Sequence, residues 1–174
     1  LDTPPAILLA IDFLAAEPYV DGNRIELVGV SLGAPFACVA GALDQRVRRV
    51  WSIHGAGDPY ALLDHSLVGR IPFAPARALV AGLANIVACG PRLAPEAWVG
   101  EIAPRPFVMV NAESDERLPR ECIERLYAAA REPREILMRP GLHVEPNHAR
   151  VVQDLVDIVL TRVHESDSAT GAPS

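Results

Sequence analysis

The sequence predicts an α/β fold: a three-layer sandwich around a mainly parallel sheet of about four strands. Three observations predict it. Four short strand-like runs stand at residues 25–30, 49–53, 106–111 and 134–138, the first nearly continuous in apolar residues, as in a strand covered on both faces. Segments with apolar residues at helical spacing lie between and around them. Glycine, proline and aspartate mark the joints. The order is helix, strand, helix, strand, irregular segment, strand, helix, strand, helix. Such alternation implies right-handed crossovers and a parallel sheet.

Each element has its own warrant. Thr3, Pro4 and Pro5 suit the start of a helix, where proline is tolerated in the first turn. Ile7, Leu8, Ile11, Leu14 and Ala15 then recur at three- and four-residue steps, up to Glu17. Pro18 and the Asp21-Gly22 pair turn the chain into the first strand (Ile25, Glu26, Leu27, Val28, Gly29, Val30). The run from Ala34 to Leu43 is small and apolar, suited to close packing on a sheet. The second strand ends at His54-Gly55-Ala56-Gly57-Asp58.

From 59 to 105 the pattern loosens, with Pro72, Pro75, Pro91, Pro95 and Pro104 along it and one helix-like stretch at 76–89. This is too long for a plain crossover and is expected to be an inserted, lid-like segment. Its Phe73, Leu79, Val80, Leu83 and Ile86 are expected to pack in a core, with the wall of a pocket as the other reading. Trp51 and Trp98 are expected in the core or the lid. After the third strand Pro119 opens a helix with Cys122, Ile123, Leu126, Tyr127 and Ala130 on one face. After the fourth, Pro146 opens the last helix, with a stripe of Val151, Val152, Leu155, Ile158, Val159 and Val163. Residues 1–164 are expected to form one domain and 165–174 a flexible tail.

Composition narrows the function classes. Half of the 174 residues are apolar and 22% are charged, which excludes intrinsic disorder. The net charge of −6 is spread along the chain, so neither nucleic acid nor an anionic membrane is an expected partner. All cationic side chains are arginine, which removes lysine nucleophiles and Schiff-base chemistry. Cys38, Cys89 and Cys122 lie far apart and without metal-ligand spacing, as in a reduced cytoplasmic protein. His, Asp and Glu do not cluster along the chain, so no metal is expected, and no nucleotide-binding glycine motif is present. No cofactor is expected. The chain starts at Leu1-Asp2-Thr3-Pro4-Pro5 without a methionine, as in a processed product, a fragment or a partial clone.

Gly29-Val30-Ser31-Leu32-Gly33 joins the first strand to the following helix. A G-x-S-x-G stretch in that setting reads as a nucleophile elbow, with the serine raised on a tight turn and glycines letting backbone pass close by. Serine needs a base, and the base needs an orienting acid. In parallel sheets reactive groups gather beyond the carboxyl ends of strands. Asp115 follows the third strand and His143 the fourth. Ser31, Asp115 and His143 thus occur in chain order at three strand ends. Each has a plainer reading. Ser31 could cap the next helix; Glu113 or Asp58 could replace Asp115; His148 competes with His143. His54-Gly55 reads as a tight turn at a strand end, whose loop could still line the pocket, and His65 and His164 as surface residues.

These residues carry a family resemblance. The segment around Gly29-Val30-Ser31-Leu32-Gly33, the strand-plus-acid segment from Arg105 through Asp115, and Gly141-Leu142-His143-Val144 resemble the carboxyl-terminal part of an α/β-hydrolase, in the style of dienelactone hydrolases and small esterases. The resemblance implies a serine hydrolase acting on a small-molecule carboxylic ester or related acyl compound. It implies Ser31 as nucleophile, His143 as base, Asp115 as its orienting acid and the Leu32 backbone N–H as an oxyanion donor. An acyltransferase or thioesterase would share this triad. Asn111 and Ala34 stand where the family commonly has glycine. The family's earlier strands, one carrying the loop with the second oxyanion N–H, have no counterpart before Leu1. The strand from Ile25 to Val30 is then expected to be an open edge, able to pair with a second copy or a partner chain. That gives a different reading: a non-catalytic or half-enzyme piece acting through association.

Overall fold

The computed structural model describes residues 2–144 and 149–170. It divides into two compact units, one ending at His143 and the other starting at Val144. The first unit carries a four-stranded sheet: β1 (Glu26–Val30), β2 (Arg49–Ile53), β3 (Phe107–Ala112) and β4 (Arg134–Arg139), in that spatial order. All three pairings are parallel; Gly29 lies opposite Ser52, Ile53 opposite Val110 and Ala112 opposite Arg139. The strand ends that follow Val30, Ile53, Ala112 and Arg139 therefore lie at one side of the sheet.

The helices of this unit are α1 (Thr3–Ala16), α2 (Ala34–Leu43), α3 (Pro59–Leu67), α4 (Ala74–Val87), α5 (Gly90–Leu93) and α6 (Arg120–Ala129). Successive right-handed crossovers in a sheet of sequential order put the connecting elements on one face. In agreement, the 3-10 turns Pro95–Ala97 and Val99–Ile102 touch both α2 and α6. Val50, Phe107, Met109, Cys38, Ile102 and Leu126 fill the core they enclose. β2 and β3 are buried along their whole length, in keeping with sequences that are mostly apolar apart from Arg49, Ser52 and Asn111. Val28 is 46% and Val30 42% exposed on β1, which has a partner strand on one side only among the described residues.

Three expectations need correction. The segment 59–105 holds α3 and α5 as well as α4. Asp58 caps α3 by accepting from the Ala61 N–H at 3.0 Å, a start signal followed by Pro59 as first helical residue. Phe73, Leu79, Val80, Leu83 and Ile86 are exposed, because α4 turns its other face to α3. The second unit's helix α7 runs Ala149–Thr170, so residues 165–170 are helical instead of a tail. There Ser166 and Ser168 hydroxyls donate to the Arg162 and His164 carbonyls, four residues back. Pro146 and His148, named above for the helix start and as a rival base, lie outside the described residues. No helix among the described residues is long and apolar enough to cross a membrane.

Candidate active site

Ser31 is the first residue after β1 and has φ +50°. This left-handed backbone is rare for a non-glycine residue and is held only by surrounding structure. Val30 before it is extended, and the 3-10 turn Ser31–Gly33 leads straight into α2. The turn is tight because Gly29 lets Ala37 and the Gly33 carbonyl approach; a Cβ on Gly29 would lie 2.6 Å from both. Gly33 has no such role, since a Cβ there would meet nothing within 4 Å and its φ is −76°. The capping position of α2 is Gly33, and Ser31 Oγ is elsewhere: 2.8 Å from His143 Nε2. The plainer reading of Ser31 as a helix cap does not hold.

His143 follows β4, on a loop tied to the loop after β3. The Glu113 N–H donates to the Arg139 carbonyl at 2.8 Å and the Ser114 N–H to the Gly141 carbonyl at 3.2 Å. The His143 N–H donates to Glu116 Oε2 at 3.0 Å. That bond holds the Glu116 carboxyl below its usual pKa. On the far side of the ring, His143 Nδ1 lies 3.0 and 2.8 Å from the two Asp115 oxygens. A carboxylate only accepts, so Nδ1 carries the proton. In the neutral imidazole Nε2 is then bare and accepts from the Ser31 hydroxyl.

Asp115 has a side chain 1% exposed. Burial pushes its carboxyl up, but hydrogen bonds from His143, His54 and the Arg117 N–H hold it well below the usual carboxylate range. The alternatives are placed apart from His143. Glu113 is exposed, and Asp58 caps α3 while pairing with Arg125 at 2.7 Å.

His54, Asp115 and His143 also form a group with ligand-capable atoms within 4.8 Å of one another. The sequence spacing concealed it. Two ligands of a zinc ion would sit about 3.3 Å apart, from tetrahedral bonds of about 2.0 Å. The His54 and His143 contacts to Asp115 Oδ2, at 2.9 and 2.8 Å, have the length of N–H···O bonds.

No family model matches the chain, and no curated protein does. Solved structures do. GrgF from Penicillium sp. sh18, described as an α/β hydrolase, is 17% identical with a TM-score of 0.67, over 93% of this chain and 70% of that one. Acetyl xylan esterase 1 from Thermoanaerobacterium sp. JW/SL YS485 is 16% identical with a TM-score of 0.66, over 93% of this chain and 51% of that one. The esterase domain of a Rhodothermus marinus protein is 22% identical with a TM-score of 0.57, over 82% of this chain and 60% of that one. The chain has the α/β-hydrolase fold. It spans between 51% and 70% of the length of these three structures.

On this α/β-hydrolase framework a cavity of about 380 Å³ opens beside Ser31, Leu32 and His54. Phe36, Leu62, Leu63, Leu93 and Leu118 wall it, and no Asp, Glu or Arg among the described residues lines it. Leu62, Leu63 and Leu93 come from α3 and α5 of the 59–105 segment; α4 contributes Asn85, and none of Phe73, Leu79, Val80, Leu83 and Ile86 lines the cavity. His54, read from the sequence as a turn residue, reaches the site itself. The missed signal was its place at the end of β2, where the same strand-end rule applies.

Proposed function

We propose that the chain is a serine hydrolase that cleaves a carboxylic ester or related acyl compound through an acyl-enzyme on Ser31. The observation that carries the proposal is the continuous hydrogen-bonded series Ser31 Oγ, His143 Nε2, His143 Nδ1, Asp115, with links of 2.8 Å on either side of the imidazole. Ser31 Oγ attacks the carbonyl carbon as its proton passes to His143 Nε2. Asp115 keeps the ring in the required tautomer and stabilises the imidazolium. The Leu32 N–H, in the first turn after the serine where backbone donors lack helical partners, receives the developing oxyanion. The leaving alcohol takes the proton from His143. Water, deprotonated by the same nitrogen, then releases the acid and restores Ser31. The esterases among the similar folds support acyl chemistry, and the leucine and phenylalanine walls of the cavity support an apolar acyl group.

The test is fluorophosphonate labelling of Ser31, with hydrolysis of a p-nitrophenyl short-chain ester by the parent and by Ser31→Ala. Labelling at Ser31 and loss of turnover in the variant are expected. An unlabelled serine, or a variant at the parent rate, would refute the proposal. The same triad would serve a thioesterase or an acyltransferase; turnover with competing thiols and alcohols separates them.

The one-sided pairing of β1 and its exposed Val28 and Val30 favour a second reading, association through that edge with another strand. Sedimentation of the chain alone reads it directly: a monomer across micromolar concentrations eliminates self-pairing.

A further inference from the structure

We infer that His54 is a positioning residue, which holds Asp115 ionised and aimed at His143 by donating its Nδ1–H to the same carboxylate. The inference rests on the serine-hydrolase reading above. His54 Nδ1 lies 2.9 Å from Asp115 Oδ2, the oxygen that is also 2.8 Å from His143 Nδ1. The two rings meet edge to face, with centroids 4.9 Å apart and planes at 72°. Arg117 and Leu118 N–H groups each reach Asp115 Oδ1 at 3.0 Å. Four donors thus meet a carboxylate that has about four lone-pair sites. With its side chain 1% exposed, water cannot replace a donor that is removed.

His54 itself is held from several directions. Its N–H donates to the Val110 carbonyl at 2.7 Å, extending the β2–β3 ladder past the end of β2. Asn111 Nδ2 donates to the Gly55 carbonyl at 3.0 Å, so the next peptide is fixed too. A Cβ on Gly55 would come within 1.9 Å of Ser52 Oγ and 3.0 Å of Ala34 Cβ, so the loop is pressed onto the start of α2. The backbone of His54 is left-handed, φ +48°, which a solvated turn would give up readily to another conformation. The ring is 4% exposed and aimed at Asp115 instead of at solvent.

The second donor shares the carboxylate: Asp115 divides its acceptor sites between two imidazoles. The other titratable groups here are Glu116 on the His143 N–H, Arg117 at 3.6 Å from Glu116, and His65 against the Glu116 carbonyl. A change at His54 leaves all three in place.

The experiment follows the rate of Ser31 labelling by a fluorophosphonate against pH, in the parent chain and in His54→Leu, His54→Asn and His143→Ala. Leucine keeps volume without a donor. Asparagine tolerates left-handed backbone and brings an amide nitrogen close to the place of Nδ1. His54→Leu is expected to slow labelling about tenfold, the loss of one charge-assisted hydrogen bond. His54→Asn is expected to recover most of that rate. A His54→Leu profile equal to the parent's, or an asparagine variant no better than leucine, overturns the inference. If His54→Leu does not fold, the parent's proton spectrum decides: two protected imidazole N–H signals, both lost in Asp115→Asn, support it, and a single one overturns it. Failure of the hydrolase reading looks different: no labelling of the parent, or equal labelling of His143→Ala. The two N–H signals still report His54 in that case.

Discussion

Gly29 and Ala37 are packed so closely that a Cβ on the glycine would stand 2.6 Å from that of Ala37. The same added atom would lie 2.7 Å from Ala34 Cα. Backbone cannot give way there without moving the turn that carries Ser31. Gly29→Ala is therefore expected to destabilise the chain by about 2–3 kcal/mol, as overpacking does. Gly33→Ala meets nothing and should stay within about 0.5 kcal/mol. Urea midpoints at constant slope check the pair, and equal effects would contradict this account of the elbow.

Asp115→Asn separates the carboxylate's chemistry from its shape. The amide occupies the same space, but its NH₂ group can face His143 Nδ1 and favour the tautomer with the proton on Nε2. Ser31 then has no acceptor for its proton. The expected loss in ester kcat is about 10³–10⁴-fold, with KM little changed. A loss below tenfold would return the orienting role to another acid.

Much of this was legible in the sequence, and the rest was hidden for physical reasons. α2 and β2 are as expected residue for residue, since a mostly apolar buried strand and the small-residue helix beside it stand out between clear turn signals. Ser31, Asp115 and His143 could be picked out because strand ends in a parallel sheet converge, whatever the sequence distance. His54 obeys that rule as well, yet its ring direction depends on φ +48° and on an acid 61 residues away. No local pattern encodes either. The exposed face of α4 was misread for a related reason. Leu79, Leu83 and Ile86 have the spacing of a buried stripe, and only the packing of α4 on α3 shows which face is inward.

Stability should fall in acid in a way that depends on Asp115. The folded chain holds its carboxyl below the ordinary value, chiefly against the opposing effect of burial, through His143, His54 and the Arg117 N–H. A depressed folded pKa stabilises above the unfolded carboxylate value, about 3.9, and that contribution is lost as pH falls through the folded value. Melting temperatures measured from pH 6 down to pH 3 should drop further for the parent than for Asp115→Asn. Parallel curves would show that this carboxylate is not linked to folding.

Under the proposed reaction, the cavity beside Ser31 is expected to set a chain-length preference. Its walls are Phe36, Leu62, Leu63, Leu93 and Leu118, and its volume is about 380 Å³. Each methylene moved from water to such a wall contributes about 0.8 kcal/mol, roughly fourfold in kcat/KM. A p-nitrophenyl ester series is expected to climb by about that factor per carbon from acetate until the space fills, and then to level off. Leu93→Trp, which occupies part of the space, should bring the plateau to a shorter acyl chain while leaving acetate turnover near the parent's. A flat series, or a plateau that ignores Leu93→Trp, would place the acyl group elsewhere.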